Sequence, residues 1–411
     1  MKSVDDHLTG ILRTVQPLQA IDLQLMDSRG CLVADDLAAP LTLPGFDNAA
    51  MDGYAVCAGD LAGATPETPV TLPVVGDIAA GSQDVVTVRP GMCARIMTGA
   101  PMPPGADAVV PVEWTDAGLA KVGIRHTPEV GRHIRRAGED VAEGDVVLYR
   151  GEPLTPARVG LVAAMGMDRI RVRPRPRVVV ISTGSELVEP GQRIAPSHIV
   201  DSNSYQLTAC ALDLGCVAYR VGIVPDEPRT LLATLEDQLI RADAVVTSGG
   251  VSKGAYDVVK EVLSRLGTVS FDEVAMQPGK PQGFGTIGPD DTPIFALPGN
   301  PVSAFVSFQV FVRPALTQMM GIGARHMRSI RATLDGGVTS ARGKRQFARG
   351  VLSRRGSISY AVSPAGGHGS HLLGGLARAN CFIVLPEDVV DVPAGGSVEC
   401  LIFDENGLDE Q

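Results

Sequence analysis

Three short segments carry the residues best suited to chemistry: Ser182-Thr183-Gly184-Ser185-Glu186, Ser248-Gly249-Gly250-Val251-Ser252-Lys253-Gly254-Ala255-Tyr256-Asp257, and Leu297-Pro298-Gly299-Asn300-Pro301-Val302-Ser303-Ala304. Each follows an apolar, strand-like run and combines hydroxyls, glycines and a charged or amide side chain. Glycine lets backbone N–H groups turn toward a bound anion, and hydroxyls and lysine add donors, so the set favours recognition of a phosphate-bearing ligand. Taken singly, each segment is equally well read as a turn or a helix cap. Pro278-Gly279-Lys280-Pro281 adds Lys280 in a rigid turn, which with Lys253 would make a clamp for a phosphate or other oxyanion. Arg345, in the tail segment RGKRQFARG, is weaker evidence of the same kind. The carboxylates Asp52, Asp140, Glu186, Asp201, Asp226 and Asp257 would repel such a ligand unless a hard divalent cation or a basic side chain intervened. Asp201 and Asp226 are also readily explained as turn and cap residues.

Several chemistries find no support. SGGVSKG lacks the spacing of a nucleotide-binding P-loop, STGSEL lacks the dinucleotide fingerprint, and neither HExxH nor a GxSxG nucleophile elbow supplies a competing hydrolase assignment. His133 and His198 stand in polar segments, and His368 and His371 form an HxxH spacing short of a metal-site signature, so packing or surface roles suit them better. The seven cysteines are scattered without CxxC spacing, which points to buried small apolar residues rather than disulfides or a thiolate metal site. A formal charge of −10 disfavours a general nucleic-acid or anionic-membrane surface. No apolar run is long enough for a membrane span and MKSVDDHLTG does not read as a signal peptide, so a cytoplasmic location is expected.

These residues need a scaffold, and a chain of 411 residues implies several domains. With 47 glycines, 30 prolines and few aromatics, many tight turns and aliphatic cores are expected. The opening segment predicts an amphipathic helix capped by Ser3 and ended near Pro17. A β-rich, Gly/Pro-punctuated stretch follows, and a helix capped at Thr155 with Pro156 in its first turn suggests that one module is inserted in another. From Arg177 the pattern becomes parallel α/β, with strands at 177–181, within 217–224 and at 292–297, and Pro301 opening a long apolar helix. The tail returns to short strands. The expected organisation is multidomain α/β plus β: a discontinuous helical layer (1–45 and 141–176), an inserted β module (46–140), a central three-layer α/β/α domain (177–324) and a C-terminal β-barrel (325–411).

In chain order, GFDNAAMDGYAV, RIMTGAPMPPGADAVVPVE, GRHIRRAGEDV, STGSEL, DSNS, GGVSKGAYD, PGKP and LPGNPVSA resemble the molybdopterin molybdotransferase family, the bacterial MoeA proteins and the E domain of gephyrin. The resemblance covers essentially the whole chain. It implies transfer of molybdate onto the dithiolene sulfurs of adenylylated molybdopterin, with Mg²⁺-dependent release of AMP, giving molybdenum cofactor. It assigns catalytic roles to Asp52, Thr98, Asp140, Glu186, Asp226, Asp257 and Lys280, and ligand contacts to Thr183, Gly184, Ser185, Ser248, Gly249, Gly250, Ser252, Lys253, Pro298, Asn300, Pro301 and Ser303. Glu186 and Asp257 are the implied Mg²⁺ ligands. It further implies a homodimer with a shared active site and transient contacts with other cofactor-biosynthesis enzymes. Two positions depart from the family pattern. Gln277 stands where many relatives carry lysine, and Ser185 where many carry an acid; glutamine lacks lysine's charge, so molybdate attraction is expected to be weakened or compensated by Lys253. A non-catalytic pterin-binding scaffold and a molybdopterin adenylyltransferase are the competing readings; the adenylyltransferase resemblance would cover mainly the central domain.

Overall fold

The first two α-helices start where the sequence supplies caps in the computed structural model, which describes residues 1–82, 86–250, 258–265, 268–356 and 359–405. α1 (Val4–Thr14) begins after Ser3, whose side chain accepts from the Asp6 N–H at 3.0 Å, with Asp5 and Asp6 in its first turn and Arg13 in its last. The chain divides into two units, one of Met1–Ile21, Gly30–Leu32 and Arg171–Gln411, the other of Asp22–Arg29 and Val33–Ile170.

The second unit is built on a five-stranded sheet. Its strands are β1 (Gly53–Val56), β2 (Val70–Ile78), β3 (Cys93–Ile96), β4 (Ala108–Pro111) and β5 (Lys121–Ile124), in the order β4-β1-β3-β2-β5. The pleat sends Tyr54 and Val56 to one core and Ala55 to another, so β1 is buried on both faces, and its one polar side-chain group, the Tyr54 hydroxyl, donates to the Gly118 carbonyl at 2.9 Å. α2 (Pro156–Ala164) belongs to this unit and starts at Thr155, which accepts from the Arg158 N–H.

The first unit holds β6 (Arg177–Thr183), α3 (Asn203–Asp213), β7 (Val217–Val224), α4 (Pro228–Leu239), β8 (Ala244–Ser248), α5 (Val258–Arg265), β9 (Val269–Glu273), β10 (Met276–Gln277), β11 (Pro281–Ile287) and β12 (Thr292–Leu297). The main sheet runs β7-β6-β8-β12-β11-β9. Its first four strands are parallel, and the central runs Val178–Ile181 of β6 and Ala244–Val246 of β8 are wholly apolar because helices cover both faces. Val178, Val180 and Val246 pack with α1, α3 and the helical run α6 (Pro301–Ser307) to α7 (Arg313–Met319), while Val179, Ile181 and Val245 pack with α4 and α5. These are the three expected layers.

One edge departs from the parallel pattern: β9 and β11 pair antiparallel and extend the sheet beyond β12. The segment expected as a turn around Lys280 therefore becomes strand from Pro281. Its glycines hide the strand, since a Cβ at Gly283 would lie 2.6 Å from the Phe271 ring and 2.9 Å from Ala296. Glycine is there for close packing within the sheet.

The C-terminal strands β13 (Arg328–Leu334), β14 (Arg345–Arg355), β15 (Ser359–Pro364), β16 (Cys381–Leu385) and β17 (Ser397–Ile402) close in the order β14-β15-β13-β17-β16-β14, a barrel filled by residues such as Leu334, Leu352, Val362 and Ile383. β10 pairs in parallel with β14, so the segment leading to Pro278 is bound to the barrel wall. All seven cysteines are free, and burial pushes the Cys93, Cys210 and Cys216 thiols up to about 12. Among the described residues no helix is long and apolar enough to cross a membrane.

Candidate active site

Parallel pairing brings three strand ends together. Ser182 of β6 is level with Ser248 of β8, which is level with Leu297 of β12, so the loops that follow emerge side by side. They enclose a cavity of about 650 Å³. Thr183, Gly184 and Glu186 line it from the first loop, Ser248, Gly249 and Gly250 from the second, and Pro298, Asn300, Pro301 and Ser303 from the third. Asp226, beyond the end of β7, completes this group. Gly249 has φ of +104°, and a Cβ there would fall 2.4 Å from the Thr183 carbonyl oxygen. The first two loops thus meet backbone to backbone, as ligand-cradling loops require.

A polar network holds these loops from behind. Asn203, at the start of α3, donates through Nδ2 to Ser248 Oγ at 2.6 Å and to the Gly299 carbonyl at 2.7 Å, tying the second loop to the third. The buried Asp201 carboxylate accepts from Ser182 Oγ at 2.9 Å, from the Ser204 N–H at 3.1 Å and from the Ser204 hydroxyl. Arg220 stacks 4.2 Å over the Tyr205 ring and forms two 3.0 Å bonds to Glu189, and its hydrogen bonds hold that carboxyl below its ordinary range. Ser185 lies outside the cavity lining. Its N–H donates to Asp226 Oδ2 at 3.1 Å while the Asp226 N–H donates to Ser185 Oγ at 3.3 Å, a reciprocal pair that aims the aspartate.

Among the described residues, neither Glu186 nor Asp226 is ion-paired with a cation, so two carboxylates face the cavity without neutralisation. Lys280 is placed elsewhere. Its ammonium sits 2.9 Å from Glu273, not on the cavity wall. Ser252, Lys253 and Asp257 lie outside the described residues, and with them the expected approach of Lys253 to Lys280.

A smaller cavity of about 150 Å³ is lined by Pro278, Val302, Gln346, Arg349 and His368, among others. The start of α6 forms the partition, with Pro301 and Ser303 on the larger cavity and Val302 on the smaller. Arg349 is buried, donates through Nη1 to the carbonyls of Gly369 at 3.1 Å and Leu372 at 3.0 Å, and among the described residues meets no carboxylate. Burial lowers its pKa from the ordinary arginine value. A desolvated guanidinium satisfied only by carbonyls is a receptor for an anion.

In the other unit, Asp52 and Thr98 form a second polar group. Asp52 Oδ1 accepts from both the N–H and the hydroxyl of Thr98 at 2.7 Å, and these bonds, the backbone one first, hold its carboxyl below the ordinary value. Asp140 is exposed in the same unit.

Three family models match the chain in succession: the MoeA N-terminal region (domains I and II) over residues 2–166, a probable molybdopterin-binding domain over 179–318, and the MoeA C-terminal region (domain IV) over 331–403. The chain belongs to the MoeA family. It is 46% identical over 405 residues to molybdopterin molybdenumtransferase 2 of Mycobacterium tuberculosis, covering 97% of this chain and 99% of that one. It is 36% identical to the molybdopterin molybdenumtransferase of Haemophilus influenzae, covering 93% of each. A crystal structure of the MoeA protein from Pyrococcus horikoshii superposes with a TM-score of 0.75 at 30% identity, covering 98% and 99% of the two chains.

Within this MoeA-family chain, sequence reasoning missed several groups that surround the two cavities. Asn203 was legible only as part of DSNS at a helix start, where asparagine ordinarily caps. His371 is exposed, as expected of a surface histidine, and also lines the larger cavity, which its HxxH spacing did not signal. Arg345 drew notice, yet it is held by Asp5 and Glu387 while Arg349, four residues on, faces the smaller cavity. On a strand the RxxxR spacing puts both side chains on one face, so it carries no signal for which of them a carboxylate will claim.

Proposed function

We propose that this protein is a molybdopterin molybdotransferase, transferring molybdate onto the dithiolene of adenylylated molybdopterin and releasing AMP. The observation that supports the reading most is the adjacency of two cavities across one helix start: a large one framed by hydroxyls and glycine backbone, and a small one against an uncompensated arginine. The larger suits a pterin nucleotide held through its phosphates and the smaller a compact oxyanion. The end-to-end relationship to proteins named molybdopterin molybdenumtransferase supports the same conclusion.

In this reading Thr183, Ser248 and Ser303 hydroxyls and the Gly184, Gly249 and Gly250 backbone hold phosphate oxygens, with Pro298, Asn300 and Pro301 shaping the wall and Ser185 steadying Asp226. Ser252 and Lys253 add donors. Arg349 draws the oxyanion, Lys280 joining it only on leaving Glu273, and Asp52, Thr98 and Asp140 act from the β module. Glu186 and Asp226 are hard oxygen donors lacking a cation, a set that fits Mg²⁺; Asp257 is a further ligand in the reading. In this reading ligand phosphate oxygens and water complete the coordination shell. When bound, Mg²⁺ would neutralise charge on the phosphates as AMP leaves. Cysteine is absent from the loops, as suits a substrate that brings its own sulfurs.

The reading includes the four-part division at 1–45 with 141–176, 46–140, 177–324 and 325–411. It also includes a cytoplasmic homodimer in which the β module of one chain reaches the α/β loops of its partner, and transient contacts with other cofactor-biosynthesis enzymes. The test is incubation of purified protein with adenylylated molybdopterin, molybdate and Mg²⁺, following AMP by chromatography and cofactor by reconstitution of an apo-molybdoenzyme. Molybdate-dependent AMP release with cofactor formation is expected. Tight pterin binding without AMP release would overturn the reading.

A further inference from the structure

The turn from Gln277 to Pro281 lies between the two cavities, Pro281 lining the larger and Pro278 the smaller. Its surrounding charges are unequal in what they have left to offer. Lys280 is paired with Glu273 at 2.9 Å. Arg345 is engaged bidentately by Asp5, at 2.8 Å from each terminal nitrogen, and by Glu387 at 3.1 Å. Lys344 differs. Its half-buried ammonium lies 3.4 Å from Gln277 Oε1, and among the described residues it meets no carboxylate.

The backbone makes this approach unavoidable. β10 runs parallel to β14 with Met276 level with Arg345 and Gln277 level with Gln346, and the Arg345 N–H donates to the Ala275 carbonyl at 2.9 Å. Lys344 therefore enters the barrel strand beside the turn. An ammonium can only donate, so the atom facing it must be the glutamine oxygen, and the carboxamide NH₂ is the remaining end. One neutral acceptor leaves the charge of Lys344 uncancelled and its other N–H bonds to give.

We propose that Lys344 recruits the oxyanion, supplying from the barrel the positive charge that residue 277 does not carry in this chain. The inference rests on the reading of molybdate as substrate. It predicts that Lys344→Gln weakens molybdate binding and raises the molybdate KM about ten-fold, the effect of losing roughly 1.4 kcal/mol, with kcat and the pterin KM unchanged. Lys344→Arg retains binding, and adding Gln277→Lys to Lys344→Gln restores it, because the charge returns to the same turn from its other side.

Molybdate is titrated calorimetrically into the full-length wild type, both single variants and the double variant, each checked for native thermal unfolding, and steady-state AMP release is measured across molybdate concentrations. Loss in Lys344→Gln with recovery in the double variant supports the inference. Equal molybdate affinity in wild type and a folded Lys344→Gln overturns it while leaving the transferase reading intact. Should the wild type bind molybdate but release no AMP, the transferase reading fails, and the calorimetric comparison still decides the role of Lys344. A Lys344→Gln protein that unfolds early is replaced by Lys344→Met, judged by the same recovery on adding Gln277→Lys.

Discussion

Asp52 receives two hydrogen bonds from one threonine, and both favour its charged form. Its carboxyl is thereby held below the ordinary value of 3.8, so it stays ionised across the working pH range and acts as a fixed negative charge rather than a proton donor. Asp52→Asn, which keeps the shape and one acceptor, is expected to lower turnover about a hundred-fold without loss of folding. Thr98→Ala removes the hydroxyl bond but not the backbone one, so the Asp52 pKa moves back up toward 3.8 and any acid limb it governs shifts to higher pH. Steady-state rates from neutral pH to below 3.8 for both variants check this; full activity in Asp52→Asn removes Asp52 from the machinery. Such residues were legible because glycine, hydroxyl and carboxylate types cluster in loops where few other roles compete for them. Arg349 was not, because nothing in a strand's sequence says that a guanidinium will be buried against carbonyls. Nor was Lys344, whose meaning depends on a turn 67 residues away.

At the scale of elements, α1 illustrates both the strength and the limit of local signals. Ser3, the acidic first turn and the apolar spacing place the helix, since each is a local preference. What the helix presses into the core is not local. His7 is 3% exposed, edge-on to Phe311 at 4.9 Å and 3.5 Å from Asp272, whose carboxylate also holds Lys2 at 3.2 Å. Burial, reinforced by Lys2 and opposed by Asp272, lowers its pKa from 6.5 to about 4. Between those values the unfolded chain takes up a proton that the folded one refuses, so stability falls as pH drops from 6.5 and levels off near 4. The full effect is roughly 3 kcal/mol. His7→Gln, which cannot ionise, is expected to lose less stability over that range than wild type. Denaturant midpoints of the two proteins at several pH values test this, and parallel pH profiles would show that His7 is not the cause. The antiparallel edge formed by β9 and β11 was hidden for a related reason: Gly283 and Gly285 erase the β-branched pattern to admit Phe271 and the Thr268–Val269 backbone.

For the whole molecule, the proposed site residues fall in two structural units. Glu186, Asp226 and both cavities belong to one, Asp52, Thr98 and Asp140 to the other. The proposed homodimer makes this division testable without a ligand-bound structure. If the β module of one chain serves the loops of its partner, a dimer of an Asp52→Ala chain with a Glu186→Ala chain contains one site lacking both residues and one site lacking neither. Random exchange of equal amounts makes half of the dimers mixed, so about a quarter of all sites are intact. Each variant alone is expected to be nearly inactive, and mixing under exchange conditions to restore about a quarter of the wild-type rate. A site completed within a single chain gives no restoration at any ratio, because every chain then carries one defect. Two Asp52→Ala preparations mixed in the same way control for exchange itself. A rise confined to the complementary pair would assign the β module to the partner's chemistry, and would explain why a carboxylate so exposed in its own unit is nonetheless held ionised by two bonds.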